Sequence, residues 1–223
     1  MGRIVAIHGI AQQFKGEHSL AAGWLPALRD GLGRAGATLD QDTDLSVVFY
    51  GDLFRPAGKA VSPAYSAADV NDDWEKELLL AWWEEAARAD LNVQGPELRG
   101  KARTPAFVQR ALQVLTHSRF FAGLSERALI GNLKQVHEYL HNDLRRAAIQ
   151  DRVTPRIGAD TRVLVGHSLG SVVAYEALAA HPEWPIRTLV TLGSPLGIPN
   201  LIFHRLRPAP VDQVGAWPGC IKR

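Results

Sequence analysis

Two short runs in the 223-residue sequence carry residue types spaced for chemistry. The first is Gly166-His167-Ser168-Leu169-Gly170, of the form G-x-S-x-G. An apolar segment ending at Val165 leads into it, and a helix is predicted directly after Ser168. A serine in such a strand-to-helix turn has its hydroxyl lifted above the sheet edge, where it can attack a carbonyl carbon. Glycine suits positions 166 and 170 because a Cβ there would collide with the turn or with a neighbouring strand. Ser171 and Ala174 keep the first helical turns small enough to pack close to the sheet. The helix N-terminus beneath the serine favours negative charge that develops during attack.

The second run is His137-Glu138-Tyr139-Leu140-His141, H-E-x-x-H on a predicted helix, with both imidazoles on one face as a hydrolytic zinc requires. Catalytic zinc takes three protein ligands. No Gly-x-x-His continuation follows, since Leu144 and Ala147 occupy those places. Val136 and Leu140 already account for the buried stripe of this helix. Two histidines at a solvent edge are the favoured reading, and a zinc-dependent hydrolase through His137, Glu138 and His141 is the alternative. No metal is expected.

The elements that must position these residues follow from the hydrophobic pattern. Ile4–Ile7, Leu45–Tyr50, Arg162–Val165 and Ile186–Leu192 are short apolar runs without alternation, the mark of parallel strands covered on both faces. Leu20–Ala35 and Leu169–Ala180 read as helices, the second stopped by Pro182. Alternating strands and helices predict an α/β fold with a mostly parallel sheet of four or more strands. The expected order is second, first, third, fourth strand. The winding then reverses between the first and third, where ligands of open parallel sheets bind.

The interval between the second and third strands is far longer than one crossover needs. It carries helical periodicity over Asp72–Leu91, Pro105–Phe121 and Glu126–Ile149. In the last, Leu129, Leu133, Val136, Leu140 and Leu144 make one stripe at steps of three and four. Ala57–Asn71, rich in Pro, Ser and Ala, is expected to be a loop. Residues 1–223 are read as one domain with this helical insertion or cap at about 55–150. Its Trp74, Trp82, Trp83, Phe107, Phe120 and Phe121 are expected to fill a core between helices; lining an acyl pocket is the other reading.

The chain resembles the α/β-hydrolase superfamily on its lipase and esterase side. Gly166-His167-Ser168-Leu169-Gly170 is a common form of that family's nucleophile elbow, His8-Gly9-Ile10 matches the start of its oxyanion loop, and Leu192-Gly193-Ser194-Pro195 matches a segment at the rim of its site. The resemblance covers the four strands, roughly residues 3–200, but not the helical insertion. It implies a carboxylic ester hydrolase with Ser168 as nucleophile and the amides of Ile10 and Leu169 as oxyanion hole. His8, Gly9 and His167 would border the substrate, with His8 holding the loop rather than acting as base.

The family's triad order is Ser, then Asp or Glu, then His. After Ser168, Glu176 and Glu183 come too early to be the acid; only Asp212 is late enough, and no histidine follows it. The sequence is therefore read as a truncated member, with Asp212 a loop residue, His204 the best-placed substitute base, and Asp52 able to orient an imidazole. A fourth strand left without a neighbour leads to the expectation of a homodimer through that edge.

Composition narrows the partners. Basic and acidic side chains number 25 and 23, which gives a formal charge of +2 and no basic run for nucleic acid. The single cysteine, Cys220, favours a reducing compartment, and no segment reads as a signal peptide or membrane span, so a cytoplasmic protein is expected. No dinucleotide fingerprint or phosphate loop is present, and no cofactor is expected. The substrate is expected to be a small ester or acyl compound.

Overall fold

A computed structural model describes residues 2–55, 63–96, 104–119, 121 and 123–221. Residues 57–62 of the predicted loop and Phe120 lie outside the described residues. In chain order the strands are β1 (Ile4–Ile7), β2 (Leu45–Val48), β3 (Val163–His167) and β4 (Thr188–Leu192). The helices are α1 (Glu17–Arg34), α2 (Asp73–Ala89), α3 (Pro105–His117), α4 (Glu126–His141), α5 (Asp143–Val153) and α6 (Leu169–Ala180). The chain forms two compact units, Met1–Arg55 together with Asn142–Arg223, and Pro56–His141.

The first unit is built on a four-stranded sheet in the order β2-β1-β3-β4, with every pairing parallel. This is the predicted α/β fold and strand order. Ile7 lies level with Val48 on one side and Gly166 on the other, and His167 is level with Leu192. The carboxyl ends of β1 and β3 are thus side by side where the winding reverses, so the segments leaving the two strands start next to one another.

The two faces of the sheet are covered differently. On one, Ala6, Leu45 and Val47 pack with Leu20 of α1, and Trp24, Leu25 and Leu28 join them. On the other, α6 packs against β1, β3 and β4. Every residue of α6 from Leu169 to Leu178 is buried. A buried pair ties α5 to α6: Arg146 Nε donates to Glu176 Oε2 at 2.8 Å, and the same carboxylate accepts Arg207 N–H at 3.1 Å. Removing either partner would strand a buried charge, at a cost of about 3–5 kcal/mol.

Several boundaries depart from the sequence pattern. The helix expected over Glu126–Ile149 is two helices. Asn142 takes an extended conformation and its side chain accepts Arg145 N–H, which caps α5. Leu144 therefore leaves the stripe and is 84% exposed. After β4, the chain makes a single 3₁₀ turn, Phe203–Arg205, following Asn200 in the left-handed region at φ 61°. β2 ends at Val48 rather than Tyr50. β3 runs one residue later at its start and two later at its end, and β4 begins at Thr188 rather than Ile186. β4 is not buried, as its apolar character suggested. It is the last strand of the sheet, and Val190 and Leu192 are 37% and 46% exposed.

The second unit packs α2, α3 and α4 around Leu78, Leu79, Leu112, Leu115, Leu129 and Leu133, all buried. Its aromatic residues pack against one another: Trp83 lies 5.7 Å from Phe107 and Trp82 lies 5.4 Å from Phe121, centroid to centroid. Glu75 is buried beneath Lys134, whose Nζ is 2.7 Å from Oε2. No described helix is long and apolar enough to cross a membrane.

Candidate active site

Ser168 sits between the end of β3 and the first residue of α6 with φ 51° and ψ −124°. L-residues rarely occupy positive φ, and holding a residue there costs about 1–3 kcal/mol. The strain is held by packing on every side. A Cβ on Gly166 would stand 2.5 Å from Ser171 Cα, and one on Gly170 would fall on the carbonyl oxygens of Ile7 and His8. The two glycines let the helix start press onto β1 and β3 closely enough to force the sharp turn. Ser168 N–H donates to Leu192 O at 2.9 Å, and Ser168 O accepts from Ser171 N at 2.9 Å and Ser171 Oγ at 2.6 Å. Ser171 Oγ lies 2.8 Å from Ser194 Oγ, so the segment after β4 joins the same lock.

Gly9 faces the serine. A Cβ there would stand 2.7 Å from Ser168 Cβ and 3.3 Å from its Oγ. The chain leaving β1 thus passes directly beside the hydroxyl, as the reversal of winding requires. Leu169 opens α6, so its amide has no acceptor within the helix. Among the described residues no acceptor is taken by the amide of Leu169 or of Ile10. Ile10 lies on the turn that continues into Ala11, itself at φ 65°, while its carbonyl accepts from Gln12 Nε2 at 3.2 Å.

His8 is 2% exposed and both its ring nitrogens meet backbone: Nδ1 lies 2.7 Å from Gly9 O and Tyr50 N–H donates to Nε2 at 3.2 Å. An imidazole that accepts at Nε2 must carry its proton on Nδ1, so the ring is neutral in this arrangement. Burial pushes its pKa down to about 4, against smaller opposing effects from the Gly9 carbonyl and Asp52. The Tyr50 ring stacks on it at 4.0 Å and the Tyr50 hydroxyl donates to His8 O. Tyr50 was not among the residues singled out from sequence. The only signal was its place just past an apolar strand, which says nothing of a partner 42 positions earlier.

The remaining titratable candidates lie apart from the serine hydroxyl in their bonding. His204 accepts Asn200 N–H at Nδ1, 2.8 Å, and its Nε2 lies 3.1 Å from Gln213 Oε1. Asp212 and Gln213, at φ 49° and 62°, form the two-residue tip of a tight hairpin closed by reciprocal Val211–Val214 bonds. Two successive positive φ values suit a turn matched to strand twist, and Asp is favoured there. Asp52 accepts from Arg152 Nη2 at 3.0 Å, while its Oδ1 is buried without a hydrogen-bond partner among the described residues. His167 is exposed, its ring 6.3 Å from Trp24 edge to face, and partial burial lowers its pKa. No described side chain hydrogen-bonds Ser168 Oγ.

The H-E-x-x-H run lies in the second unit. His137 and His141 stack at 4.3 Å between ring centroids, and Trp74 meets both edge to face. The nearest carboxylate oxygen to His137, Asp72 Oδ1, is 3.9 Å away and already accepts the amides of Trp74 and Glu75 as a helix cap. Among the described residues no three His, Cys, Asp or Glu side chains are placed to share a metal ion.

Comparison with protein-family models, with curated proteins and with solved structures gave no match.

Proposed function

We propose that the chain is a serine hydrolase of the α/β-hydrolase type, acting on a carboxylic ester or related acyl substrate with Ser168 as nucleophile. The observation that carries this reading is the backbone of Ser168, held at positive φ between a strand end and a helix start while Gly9 abuts its side chain. A surface serine in an ordinary turn has no need of that strain. The amides of Ile10 and Leu169 would receive the oxyanion, as fixed donors that meet charge only when it develops. His8 would hold the loop that carries Ile10, since a neutral ring with both nitrogens on backbone cannot take a proton from the serine. The half-buried Cys220 fits a reducing, cytoplasmic setting.

A second reading has its own support: a hydrolase scaffold with little turnover. No described group accepts from Ser168 Oγ, and His204 is bonded to Asn200 and Gln213 instead. Serine without a base is a poor nucleophile, yet an oxyanion hole and binding alone can sustain on the order of a thousandfold over water. Hydrolysis of p-nitrophenyl esters by the purified chain separates the two. Turnover above the uncatalysed rate that disappears in Ser168→Ala is the expected result. Equal turnover in that variant would move the chemistry elsewhere, and none in either protein would favour the scaffold.

A further inference from the structure

The Ser168 carbonyl is bonded differently from its counterparts at the other five described helices. There the carbonyl of the residue before the helix accepts the amide four residues on, as Gly16 O accepts Leu20 N–H and Asn142 O accepts Arg146 N–H. At α6 the Ser168 carbonyl is held by a residue three on. Ser171 donates to it twice, from its amide at 2.9 Å and from its hydroxyl at 2.6 Å. Ser171 is fully buried.

Counting protons gives this contact a direction. A hydroxyl carries one proton. The Ser171 proton goes to Ser168 O, which can only accept. In the 2.8 Å contact between the Ser171 and Ser194 hydroxyls the donor is therefore Ser194. Ser194 Oγ in turn accepts the Leu196 amide at 3.3 Å. The bonds form a one-way chain from Leu196 N–H through Ser194 and Ser171 to Ser168 O, each polarising the next. Gly193, at φ 54°, turns the backbone between Ser194 and Leu192, whose carbonyl accepts the Ser168 amide. One short segment after β4 thus holds both ends of Ser168.

What the chain of bonds fixes is a peptide plane. The Ser168 carbonyl and the Leu169 amide belong to one planar trans unit and point in opposite directions. Bonds on the oxygen therefore set the direction of the N–H, which takes no acceptor among the described residues. A single bond would let the plane rock about that contact, and the second, from the Ser171 hydroxyl, opposes the rocking. A donor aimed before charge develops needs no reorganisation when it does.

We propose that Ser171 and Ser194 are positioning residues of the oxyanion hole, which aim the Leu169 amide through the Ser168 carbonyl. The proposal rests on Ser168 as the nucleophile. Both hydroxyls act through the peptide plane and not on the substrate. Their loss should fall on kcat and leave KM alone, the mark of an interaction made only in the transition state.

Two measurements test it, one of which does not depend on turnover. Ser171→Ala keeps the amide bond to Ser168 O and removes the hydroxyl, while Ser194→Ala takes away the donor to Ser171. Ser194 is exposed, so its variants serve even if the buried substitution is poorly folded. With p-nitrophenyl acetate, kcat should fall about tenfold in Ser171→Ala and about threefold in Ser194→Ala, less than the loss of a whole oxyanion donor. Ser194→Thr, which keeps the hydroxyl, should recover what Ser194→Ala loses. A trifluoromethyl ketone should lose affinity by the same factors. In its adduct Ser168 Oγ bonds to the carbonyl carbon, the π pair moves to the carbonyl oxygen and the hydroxyl proton leaves to solvent. The matching methyl ketone, which stays a carbonyl, should bind all variants alike. In the second measurement, ¹⁵N relaxation of the ligand-free protein should give the Leu169 amide an order parameter near that of rigid backbone, about 0.85, and a lower one in Ser171→Ala. Unchanged kcat, ketone affinity and order parameter in Ser171→Ala would overturn the proposal. Equal losses for the two ketones would also overturn it, since they mark general damage to the site. If no variant turns over ester or forms the ketone adduct, yet the Leu169 amide loosens in Ser171→Ala, the lock on the peptide plane stands and the nucleophile assignment fails.

Discussion

Replacing Ser168 by glycine and by alanine should move stability in opposite directions from the usual order. At ordinary positions alanine is the more stable of the two by about 0.5–1 kcal/mol, because glycine loses more backbone freedom on folding. Ser168 has φ 51° and ψ −124°. The mirror image of that pair is a common extended conformation, so glycine reaches it freely while any residue with a Cβ is strained by about 1–3 kcal/mol. Taking about 2 kcal/mol of strain and about 0.8 kcal/mol for the entropy of glycine leaves Ser168→Gly more stable than Ser168→Ala by about 1 kcal/mol. The comparison is clean because the bonds at this residue are made by backbone atoms, N–H to Leu192 and C=O to Ser171, which both variants keep. For a chain of this size the difference is a shift in Tm of about 2–4 °C. Urea unfolding followed by circular dichroism gives the free-energy difference directly. A glycine variant less stable than the alanine variant would mean that the turn is relaxed, and the strained-elbow argument would fail.

Three further outcomes follow from other parts of the sheet unit. The folded-state pKa of His8, about 4, lies below its unfolded value, so stability should be intact above about pH 6.5 and fall by up to about 3 kcal/mol as pH drops towards 4. Unfolding at a series of pH values should show that slope, and His8→Gln should flatten it. Gly170→Ala would drive a Cβ onto the Ile7 and His8 carbonyls, so soluble yield and thermal stability should drop sharply, whereas Gly31→Ala, with open space around it, should not lose stability. The exposed edge of β4 should promote self-association, and Thr191→Lys should suppress it in light scattering across a dilution series; identical behaviour of both proteins would remove that edge as the cause.

Strand order, parallel pairing and the elbow were legible because each rests on local pattern. An apolar run, a turn with two glycines and a helix start follow one another from Val163 to Ala180 without interruption. The edge position of β4 was legible from the expected strand order, but the exposure of its side chains was not, since an apolar run without alternation reads as a strand covered on both faces. The break at Asn142 was hidden by a stripe that kept its period through Leu144 while the cap redirected the backbone. The surroundings of His8 depend on Tyr50, 42 positions away in sequence. Such long-range pairings leave no periodic trace.

The nucleophile is tested most directly by treating the folded chain with a fluorophosphonate and locating the adduct by peptide mass spectrometry. Reaction with such a reagent requires an activated serine. The expected product is a single adduct on Ser168, absent when the protein is unfolded before treatment. Labelling of other serines with Ser168 untouched, or no adduct in the folded chain after prolonged exposure, would contradict Ser168 as the nucleophile.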